Sequence, residues 1–245
     1  MQARFASAAS FKAVIESCKE IVDEANLECN TDGIFMQAMD ASHVTLVKLF
    51  IPKADLQDYK CSQSVNMGLN LKSFHKILKC CGNDDVLTFS HDVTKPDIIE
   101  ILSEHTSSDR ISRFSHKLMD IMSEAFNIPD SEYSSVITMP TFEISKVCKD
   151  MAALGDTIEI KTDKNGLTFS VIGDFGSADI SIQKSCSSIE YLKCGDVKQI
   201  YALNYLSMFT KVPLTQKTTM HLDNTVPLCI EIGYLKFYLA PKLTD

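Results

Sequence analysis

The sequence predicts an α+β protein of two similar halves, each with antiparallel sheets covered on one side by a pair of helices. Three observations predict it. The strand-like stretches are short, alternate apolar and polar residues, and are separated by turn signals such as Asp32-Gly33 and Asn165-Gly166. Only two amphipathic helical stretches fall in each half. A helix-and-strand unit of the first half recurs in the second.

The elements follow in order. In FKAVIESCKEIV, residues 11–22, apolar residues at 11, 14, 15, 18 and 22 form one helical face. LECNTDGIFMQAMDASHVTLVKLFIP then reads as strands around Asp32-Gly33. Leu71, Phe74 and Leu78 give the stripe of a second helix, with Lys72, His75, Lys76 and Lys79 on the opposite flank. In the second half TFEISKVCKDMAAL, residues 141–154, is helical on Ile144, Val147, Cys148 and Met151, and IEIKTDKNGLTFSVIG supplies strands around Asn165-Gly166. The unit at 69–92 is echoed at 201–223: Leu71 matches Leu203, Phe74 matches Leu206, Ile77 matches Phe209 and Lys79 matches Lys211. The expected domains are residues 1–117 and 135–245, joined by a linker over 118–134 that carries apolar residues without core periodicity.

Composition narrows the function classes. With 245 residues, 45% of them hydrophobic and 23% charged, the chain has ample apolar material for a folded core. No apolar run approaches the ~20 residues of a membrane span, and the start of the chain shows no secretory h-region. Nine cysteines cannot all pair within the chain, and none forms C-x-x-C. They read as reduced thiols, mostly small buried apolar groups, with Cys18 and Cys148 on helical stripes. The six histidines show no zinc-ligand spacing to them. Phosphate-binding, metalloprotease and hydrolase motifs are absent, and GDFGSAD reads as a turn between strands. No catalytic residue, metal or cofactor is expected.

The net charge of -8 opposes nucleic-acid binding on its face. The positive charge is nevertheless concentrated: Lys12, Lys19, Lys72, Lys76, Lys79, Lys146, Lys149 and Lys211, with His75, fall on the four helical stretches. Lysine-rich polar faces are also what ordinary solvated helices carry.

QAMDASHVTLVKL (37–49), MGLNLKSFHKILKCCGNDD (67–85), KLMDIMSEAFNIPDSEYS (117–134), KVCKDMAALGD (146–156) and LKFYLAPKL (235–243) closely resemble the proliferating cell nuclear antigen family of DNA sliding clamps. The resemblance runs end to end. It implies the DNA-clamp fold and a nuclear, ring-shaped homotrimer of pseudo-sixfold symmetry. Helices line the hole around duplex DNA, which the basic set above would touch weakly, and no chemistry occurs on the protein. Edge strands near 109–117 and 174–183 would pair between subunits through Ile111, Phe114, Ile180 and Ile182, residues that equally suit a core. It also implies an apolar docking pocket for a partner motif with a Gln, an aliphatic residue and two aromatics, the PIP box of polymerases, clamp loaders, nucleases and ligases. By position the pocket is Met39, Val44, Leu46, Phe126, Ile128, Pro227, Tyr238, Leu239 and Pro241, with His43 and Ala202 at the rim and Ala240 offering backbone acceptors. Lys164 matches the acceptor of ubiquitin or a related modifier, and locally reads as an exposed turn lysine.

The sequence departs from the family pattern in places. Ala13 and Asn204 stand where a basic residue is common, Gln63 and Ser64 replace a region usually holding Arg, Phe126-Asn127 replaces Leu-Gly, and Phe114 replaces a Tyr. Two other readings compete. One subunit of a mixed checkpoint-type clamp would carry edges that fail to close on themselves. A thiol-dependent enzyme would need a His-paired or C-x-x-C cysteine, which the sequence lacks.

Overall fold

The computed structural model describes residues 1–122, 126, 132–212 and 214–242. The chain divides into two compact units, one of residues 1–41 and 47–126, the other of 42–46 and 127–245. The first contains β1 (Gln2–Phe5), α1 (Ala8–Cys18), β2 (Glu24–Cys29), β3 (Gly33–Met39), most of β4 (Thr45–Pro52), β5 (Asp58–Lys60), β6 (Val65–Asn70), α2 (Leu71–Leu78), β7 (Val86–His91), β8 (Ile98–Glu104) and β9 (Ile111–Lys117). The second contains β10 (Ser135–Pro140), α3 (Thr141–Ala152), β11 (Thr157–Asp163), β12 (Gly166–Gly173), β13 (Gly176–Gln183), β14 (Glu190–Cys194), β15 (Val197–Ala202), α4 (Leu203–Phe209), β16 (Lys217–Leu222), β17 (Leu228–Ile232) and β18 (Leu235–Leu239).

The two units share one topology. In the first, strands run in the order β5-β1-β7-β8-β9 and β4-β3-β2-β6; in the second, β14-β10-β16-β17-β18 and β13-β12-β11-β15. The strand pairings among the described residues are antiparallel. The repeat read from helices and turns thus extends to every strand.

Local chemistry sets the helix ends. The first helix begins earlier than its apolar stripe suggests, because the Ser7 side chain caps it by accepting from Ala9 N. It ends at Cys18, and Val22 is buried beyond it. The Asn70 side chain caps α2 by accepting from Ser73 N at 3.0 Å. α3 stops at Ala152, two residues before the end of the predicted helical stretch. Gly33 and Gly166, at φ 155 and 143, hold the two hairpin turns where a Cβ would meet a backbone carbonyl at 2.2 Å.

The first core is aromatic. Phe5, Phe11, Phe74 and Phe89 are buried, with Phe11 4.8 Å from both Phe5 and Phe89 and 6.3 Å from Phe74, ring centre to ring centre. α1 and α2 pack together over it. In the second unit α3 and α4 do the same, and Phe209 stacks on Phe237 at 4.5 Å. Of the nine cysteines five are buried, three are half-buried and Cys80 is exposed, fewer buried than expected, because Cys61, Cys186 and Cys194 lie at or beyond strand ends.

One carboxylate organises the start of the second unit. Asp223 accepts from the Ser134 hydroxyl, from Ser134 N at 3.2 Å, and from Thr225 N and Oγ1 at 2.8 and 2.7 Å. These bonds hold its carboxyl down at about 2.

Replacing Phe11 by Ala is expected to lower unfolding stability by about 3–5 kcal/mol, read from urea denaturation. The depressed Asp223 carboxyl contributes stability that is fully present above the ordinary value of 3.8 and is lost as pH falls through about 2. Asp223→Asn should therefore flatten the pH dependence of the thermal midpoint over that range.

Candidate nucleic-acid interface and docking surfaces

The helices of the first unit bury one side and present the other to solvent. Phe11, Val14, Ile15 and Cys18 of α1 are buried, as are Leu71, Phe74 and Leu78 of α2. The lysines left outside are not equivalent. Lys12 Nζ donates to Cys81 O at 2.8 Å and to Asn83 Oδ1 at 2.9 Å, tying α1 to the turn after α2. Lys19 pairs with Glu20 and Lys72 with Asp23, both at 2.6 Å. Lys76 and Lys79 are exposed, and among the described residues neither ammonium has an ion-pair partner. In the second unit Lys146 and Lys149 of α3 are likewise exposed and unpaired among the described residues, and Lys211, after α4, is exposed.

His75 corrects the sequence reading, which placed it on the polar flank. It is 4% exposed. Positions 71, 74, 75 and 78 make one continuous helical face, so His75 turns inward beside Leu71 and its ring lies 4.0 Å from the Glu16 carboxylate. Burial pushes its pKa down, the Lys19 charge adds to this, and Glu16 opposes it. The imidazole is neutral at pH 7 and offers no charge to a phosphate.

The residues expected to receive a peptide divide by unit. In the first, Met39 is half-buried at the end of β3, and Gln37 Nε2 donates to Phe126 O at 2.7 Å. Sequence reasoning missed Gln37, since an isolated Gln in an alternating strand gives no signal. In the second, Val44 O accepts from Ala240 N at 3.0 Å, while Lys242 N donates to Ile200 O at 2.7 Å. His43 takes a left-handed φ of 55 and is exposed, as is Pro227; Ala202, Tyr238 and Pro241 are half-buried. Leu46 and Leu239 are corrections. Their side chains are 5% and 0% exposed and belong to the core. Alternation along β18 sends Leu235, Phe237 and Leu239 inward and leaves Tyr238 on the other face. Ile128 lies outside the described residues.

β9 and β13 each end a sheet. Alternation puts Ser112, Phe114 and His116 on the inner face of β9, so Ile111, 53% exposed, is on the opposite face from Phe114. On β13, Ala178, Ile180 and Ile182 face inward, with Ile180 opposite Phe169 and Ile182 opposite Leu167. At the tip of the β12–β13 hairpin Phe175 is 100% and Ile172 82% exposed. Lys164 is exposed in the turn where the Asp163 carboxylate accepts from Asn165 N at 2.8 Å. No group of three or more His, Cys, Asp or Glu side chains suited to a metal occurs among the described residues.

Comparison with known proteins gives the fold a family. A family model described as proliferating cell nuclear antigen, N-terminal domain, matches residues 1–128, and one described as proliferating cell nuclear antigen, C-terminal domain, matches residues 127–242. The chain belongs to the proliferating cell nuclear antigen family. A curated proliferating cell nuclear antigen of Dictyostelium discoideum is 38% identical over 255 residues, covering 99% of each chain. The protein is a DNA sliding clamp, a homotrimer that encircles duplex DNA and serves polymerases and other replication and repair proteins. No helix among the described residues is long and apolar enough to cross a membrane.

Binding of the clamp to linear duplex should weaken with salt. Lys76→Ala is expected to reduce the slope of log K against log salt by up to ~0.9 for each phosphate that the Lys76 ammonium neutralises, whereas His75→Gln should leave it unchanged. Fluorescence anisotropy across a salt series reads both.

Proposed function

We propose that the clamp works by enclosure, with the exposed lysines of α2 and α3 making weak contacts to the phosphate backbone. The observation that carries this reading is the placement of Lys76, Lys79, Lys146 and Lys149 on solvent-facing helix sides in two units of one topology, within a protein of net charge -8. Contacts of this kind are independent of sequence and salt-sensitive, so a ring held by topology remains free to slide. The net negative charge disfavours DNA on the outside of the ring. The lysines already paired within the chain, Lys12, Lys19 and Lys72, contribute less than their number suggests.

On this reading the clamp performs no chemistry, acts in the nucleus, and divides into domains at 1–117 and 135–245 with a linker over 118–134. The trimer closes by pairing the open edges β9 and β13, Phe114, Ile180 and Ile182 lying on their inner faces. PIP-box peptides of polymerases, loaders, nucleases and ligases anchor an aromatic side chain against Tyr238, Val44 and Pro227 of the second unit. Partly exposed apolar and aromatic anchors with polar neighbours suit such a peptide. Lys164 is the acceptor for a modifier, supported by its exposure in a tight turn.

Clamps loaded on a nicked circular plasmid should remain bound after a high-salt wash and escape once the circle is cut. Equal loss from intact and cut circles would exclude enclosure. Tyr238→Ala should weaken a two-aromatic peptide at least tenfold by calorimetry while leaving retention on circles intact.

A further inference from the structure

The two long open edges carry opposite charge. Residues 109–117 include Arg110, Arg113 and Lys117 against one carboxylate, Asp109; residues 174–183 include Asp174 and Asp179 and no Lys or Arg. Other sheet ends are shorter or covered. β5 has three residues and β14 five; Met119 N bonds Gly68 O beside β6, and Lys242 N bonds Ile200 O on β15. Two like edges would set cation against cation or acid against acid, so the contact is head to tail, as a closed ring requires. We propose that β9 of one subunit and β13 of the next pair in a single register fixed by Arg113 opposite Asp179. This rests on the reading that these edges close the trimer, and adds how one copy of the chain recognises the next.

Backbone hydrogen bonds restrict the register. Arg110 O accepts from His105 N, and Leu118 N donates to Asp97 O, so even-numbered residues of β9 turn their polar groups toward β8. Ile111, Arg113, Ser115 and Lys117 therefore offer theirs to the open side. Lys184 N donates to Asn165 O, which turns even-numbered residues of β13 toward β12 and leaves Ser177, Asp179, Ser181 and Gln183 facing outward. In an antiparallel ladder the outward groups of one strand bond the outward groups of the other, so the register shifts only in steps of two. Burial imposes the same parity, since the odd-numbered residues of both strands are the exposed ones.

Charge and volume choose among the remaining steps. With Arg113 opposite Asp179, the bulky Phe114 meets the small Ala178, Ser115 meets Ser177, and Lys117 arrives beside Phe175 and Asp174. One step away, Asp179 faces Ser115 and Arg113 faces Ser181, so the ion pair is lost. One step the other way, Asp179 faces Ile111 and only four residues of each strand overlap. Opposite charges directly across a ladder stabilise a pair and like charges oppose it, so the ion pair sets register and partner choice.

Charge exchange tests this by light scattering at low micromolar protein and low salt. Arg113→Asp and Asp179→Arg should each shift the mass from three times 27.3 kDa toward 27.3 kDa, and the double variant Arg113→Asp/Asp179→Arg should restore the trimer. Ser115→Asp combined with Asp179→Arg should not. Circular dichroism checks that each variant is folded. Single variants that stay trimeric, a double variant that does not reassemble, or rescue by Ser115→Asp would overturn the register while leaving edge pairing standing. A wild-type chain that never forms a trimer would sink the edge reading itself, and the register with it.

Discussion

A strand at the edge of a sheet leaves alternate N–H and C=O groups facing outward with nothing to bond, and this chain leaves two such rows on strands of seven and eight residues. That constraint organises much of what the protein is. A homotrimeric ring uses two different edges on each subunit, one to give and one to receive, and closure removes both. The backbone alone supplies general stickiness. On the pairing proposed above, side chains along the edges, more basic on one and acidic on the other, select which strand is accepted.

The helices obey a complementary rule. Each hides an apolar stripe under its own unit and shows a polar side, but the exposed charge is graded. Lys12 is engaged by two oxygens at the end of α2, and Lys19 and Lys72 sit beside carboxylates. Lys76, Lys79, Lys146 and Lys149 carry no such pairing among the described residues. On the proposed function, charges left free in this way hold DNA loosely, which suits a device that must travel along it. Tight phosphate clamping would work against sliding.

Much of this was legible in the sequence, for identifiable reasons. Helical stripes such as Phe11-Val14-Ile15-Cys18 and turns such as Asn165-Gly166 report local geometry directly. Helix boundaries were less legible, because Ser7 begins α1 through a cap that precedes the apolar pattern. His75 was misplaced because a basic residue amid lysines invites a solvent assignment, while its spacing of four from Leu71 carries it inward. Leu239 and Leu46 were assigned to a docking surface by position alone; alternation along β18 settles Leu239, but the burial of Leu46 needed coordinates. The hydrogen bonds of Asp223 to Ser134 and of Gln37 to Phe126 join residues 89 apart in sequence and leave no local trace.

The hairpin tip between β12 and β13 has a consequence for the life of the protein before assembly. A newly synthesised subunit displays a fully bare Phe175 and a nearly bare Ile172 beside an open strand. Such a surface invites misassociation, so ring formation competes with aggregation in every cell that makes the chain. The abundance of subunits, and how quickly three of them meet, thereby become determinants of how much clamp survives to be loaded.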